Sequence, residues 1–136
     1  MSTSSEPSSR PLTLELLALP KEVPVLRRTV REHLGGPCAE VQLCVSEIVG
    51  NVIRHVGEGT PVVVRVIGGA ADSIRVEVTD PDARALPVLL RAGGDDERGR
   101  GLALMEAVSL RWGVRREGAC KTVWCEVGRP CEVSRA

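Results

Sequence analysis

Two runs of strict alternation constrain this chain more than any other feature. Val62, Val64 and Val66 share one side of the first run. Ile74, Val76 and Val78 share one side of the second, opposed by Ser73, Arg75, Glu77 and Thr79. A period of two over this length predicts strands with one buried face. Gly68 and Gly69, with Ala70–Asp72, supply the hairpin connection between them. A sheet with one apolar face needs a second layer to cover it.

The residues upstream supply that layer. In 21–34, Val25, Leu26, Val30 and Leu34 recur at helical spacing, with Arg27, Arg28, Arg31 and Glu32 on other faces. Pro24 is tolerated only in a first turn, which sets the start near Lys21–Val23, and Gly35-Gly36 stops the helix. Pro37 opens a second helix that runs to about Val56. Its predicted buried stripe is Val41, Cys44, Val45, Ile48, Val52 and Ile53, and Gly57 and Gly59 end it. A first strand is predicted at Leu12–Leu19. A third helix is predicted at Gly101–Leu110, with Leu102, Leu104, Met105 and Val108 inward. Two last strands, Arg111–Arg116 and Lys121–Val127, pair across Glu117–Cys120. Between Pro81 and Arg98 the pattern dissolves into Pro, Gly and acids, a stretch whose length suits a functional lid. The expected fold is therefore α/β in the α+β sense: a two-layer sandwich of one sheet with helices on one face. A doubly wound sheet would alternate strand and helix throughout. One domain over 12–127 is expected, with a disordered tail at 1–11 and a second tail at 128–136.

Composition narrows the function. The 136 residues include two Trp and neither Phe nor Tyr, so Val, Leu, Ile, Ala and Cys must build the core. Eighteen acids balance eighteen bases, which leaves no net field to attract nucleic acid or an anionic membrane. Trp112 and Trp124 are too few to stack single-stranded bases. No apolar run approaches the roughly 20 residues that span a bilayer. The opening MSTSSEPSSR lacks the order of a signal peptide. Cys38, Cys44, Cys120, Cys125 and Cys131 contain no C-x-x-C pair and read as reduced, small apolar residues; a zinc site or redox switch is the alternative. A cytoplasmic location is expected. Only Lys21 and Lys121 are lysines among the bases.

Three motifs carry chemistry. Glu47, Asn51, Arg54 and His55 share a polar face of the second helix, which is also what any amphipathic helix presents. Asn51 is the informative member, because asparagine is a mediocre mid-helix residue. A carboxylate and an amide oxygen one turn apart can serve Mg²⁺ and its bound water. Asp80 stands where a strand runs out before Pro81, able to point a carboxylate into a pocket or simply to form a turn. Gly99 and Gly101 alternate with Arg98 and Arg100 at the mouth of a helix, where free N–H groups and guanidinium forks can take phosphate oxygens. Gly118-Ala-Cys-Lys121-Thr122 ends like a phosphate-binding P-loop but lacks the glycine that such a loop places before its lysine.

In this order and spacing the motifs resemble the GHKL superfamily of ATPases. They are most similar to the stand-alone anti-sigma factor serine/threonine kinases of the RsbW type. The resemblance rests on Glu47-Ile-Val-Gly-Asn51-Val-Ile-Arg-His55 as N box and Val78-Thr79-Asp80-Pro81-Asp82 as G1 box. Arg98-Gly99-Arg100-Gly101-Leu102 stands as G2 box, and Lys121-Thr122-Val123-Trp124 lies on the final strand. It implies a Bergerat-type ATP-binding fold with a mixed, mostly antiparallel sheet, and ATP and Mg²⁺ as ligands. Asn51 would hold Mg²⁺ on the phosphates and Glu47 would orient or deprotonate the attacking hydroxyl. Asp80 would accept the adenine amine, with Thr122 beside it through a water. Such a carboxylate would oppose the guanine carbonyl oxygen and so select ATP over GTP. Gly99, Gly101 and Leu102 would form the phosphate turn, with Arg98 and Arg100 as charge partners. His55 matches the N-box histidine in place. The G1 box departs from the pattern, with Asp82 after Pro81 where a glycine is usual.

The implied partners are an anti-anti-sigma factor with a STAS domain and a sigma factor, with a homodimer compatible. Three functions follow: a kinase acting on that partner, a module that uses nucleotide only to sequester it, and a structural member without nucleotide.

Overall fold

The computed structural model describes residues 10–68, 72–81 and 100–128. Its elements, in chain order, are β1 (Leu12–Leu17), α1 (Glu22–Leu34), α2 (Ala39–His55), β2 (Pro61–Gly68), β3 (Ser73–Asp80), α3 (Arg100–Val108), β4 (Arg111–Glu117) and β5 (Cys120–Gly128). The five strands form one sheet in the order β1-β2-β3-β5-β4. All described pairings are antiparallel, so the parallel component allowed for in the sequence reading is not used.

Register explains the core. Leu14, Val64, Val78, Val123 and Val114 form one row across all five strands. Leu12, Val66, Val76, Cys125 and Trp112 form the next. These rows join Leu26 and Val30 of α1, Val41, Cys44, Val45, Ile48, Val49 and Val52 of α2, and Met105 of α3 in a single apolar cluster. Branched aliphatics fill it, as the shortage of aromatics requires. Burying a side chain of this kind is worth roughly 1.5–3 kcal/mol, and this cluster holds the two layers together.

Local chemistry sets the ends. α1 closes on Gly35, whose φ of 85° is left-handed, and the Gly36 N–H reaches back to the Arg31 carbonyl at 3.1 Å. α2 begins two residues after Pro37, because Cys38 is still non-helical and caps it. Three details depart from expectation. β1 stops at Leu17, since the Ala18 N–H pairs with the Thr60 carbonyl (2.8 Å) and Leu19 turns back on Leu17. α3 ends at Val108, because the Leu110 N–H leaves the helix to meet the Glu126 carbonyl at 2.7 Å. Leu104 is 48% exposed, while the adjacent Met105 is fully buried. Gly128, assigned to the tail, instead ends β5; the rest of that tail (129–136), most of the lid stretch and residues 1–9 lie outside the described residues.

The far side of the sheet carries a ladder of charges. Arg65 and Arg75 both donate to Glu77, at 3.2 and 2.8 Å. Arg75 and Arg111 both donate to Glu126, at 3.0 and 2.6 Å. Each carboxylate is thus buried beneath two guanidinium groups on a face that no described helix covers. Burial opposes the charge of Arg75, but Glu77 and Glu126 override it and hold the group above the usual arginine range.

Candidate functional site

At one end of the helix-facing side of the sheet, the apolar rows give way to polar residues. The register sets Asp80 of β3 directly opposite Lys121 of β5, and Lys121 opposite Arg116 of β4. Lys121 Nζ lies 3.3 Å from Asp80 Oδ2, and the two residues are 1% and 2% exposed. The short connection of residues 56–60 carries the chain from the end of α2 to the start of β2. The C-terminal half of α2 therefore lies at this same end of the sheet.

That half of α2 carries Asn51, which is 4% exposed, with Glu47 half-buried one turn before it. His55 is half-buried one turn after Asn51, and Arg54 is exposed. The sequence reading put Asn51 on a polar face opposite the core stripe; the structure instead places it at the edge of that stripe. It follows Cys44 by seven residues and Ile48 by three, both core positions, and that spacing was the signal for its burial. Val49 is a further core residue that the reading missed. Ile53, assigned to the stripe, is only partly buried.

Asn51 Oδ1 is buried with no hydrogen-bond partner among the described residues. A buried amide oxygen left unpaired costs about 1–3 kcal/mol, so its persistence in a helix needs a reason. A hard cation such as Mg²⁺ takes oxygen donors of this type and keeps several waters, one of which the half-buried Glu47 carboxylate one turn away is suited to hold. The residues present fit the ion. Asn51 would hold it, and when bound it would neutralise charge on phosphate oxygens.

The interhelical contacts fix α2 in place. Arg27 Nη1 of α1 donates to Ser46 Oγ at 2.8 Å, and Gln42 Nε2 donates to the Arg27 carbonyl at 3.1 Å. The α2 ends of both ties, Gln42 and Ser46, lie within five residues before Glu47.

Thr122 is not where the sequence reading put it. Its hydroxyl lies 2.7 Å from that of Thr79, on the far side of the sheet from Asp80. Alternation along β5 turns Thr122 away and brings Lys121 to the carboxylate. Arg100, Gly101 and Leu102 open α3, so this segment is a helix N-terminus. The free N–H groups of such an end suit an anion. Asp82, Arg98 and Gly99 lie outside the described residues. Among the described residues, Cys38, Cys44, Cys120 and Cys125 are reduced, none of them in a disulfide. No described helix is long and apolar enough to cross a membrane.

With this geometry in hand, the sequence pattern of the histidine kinase-like ATPase domain matches residues 16–126. The chain belongs to that family. The match runs from β1 to β5 and takes in the helix of Glu47 and Asn51, so this ATPase domain is the folded unit described above, of the GHKL type. SCO4941, an uncharacterized protein of Streptomyces coelicolor, is 47% identical over 88 residues, which are 63% of this chain and 84% of that protein. The solved structure of the RsbU and RsbW domains of Rv1364c from Mycobacterium tuberculosis is similar in fold, with a TM-score of 0.63 and 19% identity. That likeness covers 88% of this chain but only 32% of the mycobacterial one. The ATPase domain thus has the α+β architecture that its motifs led one to expect, and it is an ATP-binding domain by family.

Proposed function

We propose that this ATPase domain is an anti-sigma factor serine/threonine kinase. It would take the γ-phosphoryl group of ATP to a Ser or Thr hydroxyl of an anti-anti-sigma partner with a STAS domain. The observation that carries the reading is the buried, unpaired Asn51 oxygen one turn from the Glu47 carboxylate. The ATPase-domain family and the likeness in fold to a chain that carries an RsbW domain accord with that reading.

Phosphoryl transfer depends chiefly on positioning and on charge stabilisation. The partner hydroxyl oxygen forms a bond to the γ-phosphorus as the bond to the β,γ-bridging oxygen breaks, and ADP departs. Glu47 takes the hydroxyl proton. Asn51 would hold the metal, which would supply charge neutralisation on the phosphate oxygens, and the N-terminus of α3 would offer them N–H donors. Asp80 accepts the amine of the base. The bound sigma factor would be released or held according to the partner's phosphorylation, a cycle that belongs in the cytoplasm.

Glu47 separates this reading from its rival, a module that binds nucleotide and sequesters a partner without chemistry. The rival draws on Asp82, which stands after Pro81 where a glycine would give the base closer access. Glu47→Ala should retain ATP and partner binding, while single-turnover phosphorylation falls by about 10²–10⁴, the usual contribution of a general base. A wild-type chain that binds a STAS partner and Mg-ATP but transfers no phosphate would establish the sequestering module instead.

A further inference from the structure

The Asp80–Lys121 pair is expensive by the standards of its surroundings. The rows beside it are apolar from β1 to β4, and on its own row Leu16 pairs with Val62 before the polar residues begin. Replacing a buried ion pair by apolar residues of similar volume is often neutral or stabilising. Stability alone therefore does not account for an ammonium 1% exposed in a Val-rich sheet. The position of the pair does: it lies beside the end of α2 that bears Asn51, where β3 runs out.

A lone carboxylate offers only acceptors. It matches the adenine amine and opposes the guanine carbonyl oxygen. An ammonium offers three N–H donors and no acceptor. Set 3.3 Å from Asp80 Oδ2, Lys121 turns the site into an acceptor beside a donor. The edge of adenine carries an amine donor at C6 and an acceptor at N1. The edge of guanine carries a carbonyl acceptor at C6 and an N–H donor at N1. An acceptor–donor pair is complementary to both, with the two roles exchanged.

We propose that Lys121 is a specificity-determining residue of the nucleotide site, giving Asp80 a donor neighbour so that the pair accepts guanine as well as adenine. The inference rests on the reading of Asp80 as the base contact. Sites that specify a single hydrogen bond reject the wrong group by up to ~10⁴; here the preference for ATP over GTP falls to about tenfold or less.

Titration calorimetry of the full chain with Mg-ATP and with Mg-GTP tests this. The wild type should bind both, with Kd values within about tenfold of each other. Lys121→Met keeps the stem length but removes the donor, and should lose GTP at least a hundredfold more than ATP. Lys121→Arg, which keeps N–H donors, should retain GTP binding. A wild type that binds ATP but rejects GTP by a thousandfold overturns the role of Lys121 and leaves the ATP site standing. An unchanged ratio in Lys121→Met does the same. A wild type that binds neither nucleotide overturns both. Should Lys121→Met fail to fold, the wild-type ratio and Lys121→Arg decide.

Discussion

Arg75 holds its guanidinium carbon 4.2 Å from the centre of the Trp124 ring, on the sheet face away from the helices. The same ring fixes the residue across from it. Gly113 is the register partner of Trp124, and a β-carbon at Gly113 would sit 2.9 Å from Trp124 Cζ2. A glycine in a strand interior often marks such a close approach. The ring cannot simply swing aside, because Arg75 is itself tied to Glu77 and Glu126.

Gly113→Ala should therefore destabilise the fold by about 1–3 kcal/mol, the usual range for overpacking. In a Trp124→Leu background most of that cost should vanish. Urea unfolding of the two single variants and the double variant measures the coupling; additive effects would show that the ring is not the obstacle.

The strands were legible because their chemistry is local: Val62, Val64 and Val66 alternate whatever lies around them. The same holds for α1, bounded by Pro24 and Gly35. What could not be read was the side to which a polar residue turns. Asn51 looked solvent-facing because Glu47 and Arg54 share its helical face, yet Cys44 and Ile48 share its other neighbours, and packing decided between them. Thr122 and Lys121 are adjacent in sequence, so only strand register could say which one meets Asp80. Leu104 followed helical spacing but found no layer to cover it.

Glu126 should give the fold an acid-sensitive component. Its hydrogen bond from Arg111 leads in holding the carboxyl below the usual glutamate range; burial opposes this, and Arg75 adds to it. Between the folded and unfolded pKa values the unfolded chain binds more protons, so stability rises with pH there. The contribution is complete above the ordinary glutamate range, near 4.3, and fades as pH falls through the folded value. Arg111 is largely exposed, so solvent screens part of its share. Glu126→Gln should lower stability near neutral pH by about 1–3 kcal/mol and flatten the acid limb of the profile. Urea midpoints measured across the acid range check both, and an acid limb as steep as that of the wild type would remove Glu126 from the explanation.

The thiols should divide sharply in reactivity. The bond to Cys44, and then burial, push the Cys125 thiol far up, so almost none of the reactive thiolate forms. Cys120 is exposed, whereas Cys38 and Cys44 are buried. Iodoacetamide under native conditions should label Cys120 and spare Cys38, Cys44 and Cys125, with all four labelled after unfolding. Peptide mass mapping reads the pattern. Native labelling of Cys125 at the rate of Cys120 would mean that the α2–β5 packing opens freely.

Asn51 should trade stability for ligand binding. Its Oδ1 is buried and unpaired among the described residues, and that desolvated oxygen costs about 1–3 kcal/mol in the absence of a cation. Leucine is close to asparagine in shape and would continue the row of Cys44 and Ile48. Asn51→Leu should therefore leave the nucleotide-free domain as stable as the wild type, or more stable by up to that amount. The response to ligand should move the opposite way. A ligand at a hundred times its Kd stabilises a fold by about 2.7 kcal/mol, and the wild type should show a gain of this order with Mg-ATP. Adding a chelator should remove most of it. Asn51→Leu should show little gain with Mg-ATP and little change with chelator. Thermal and urea unfolding, each with and without Mg-ATP, separate the two effects. A variant that is destabilised without ligand yet still gains stability from Mg-ATP would make Asn51 a packing residue, and the metal would then need another anchor.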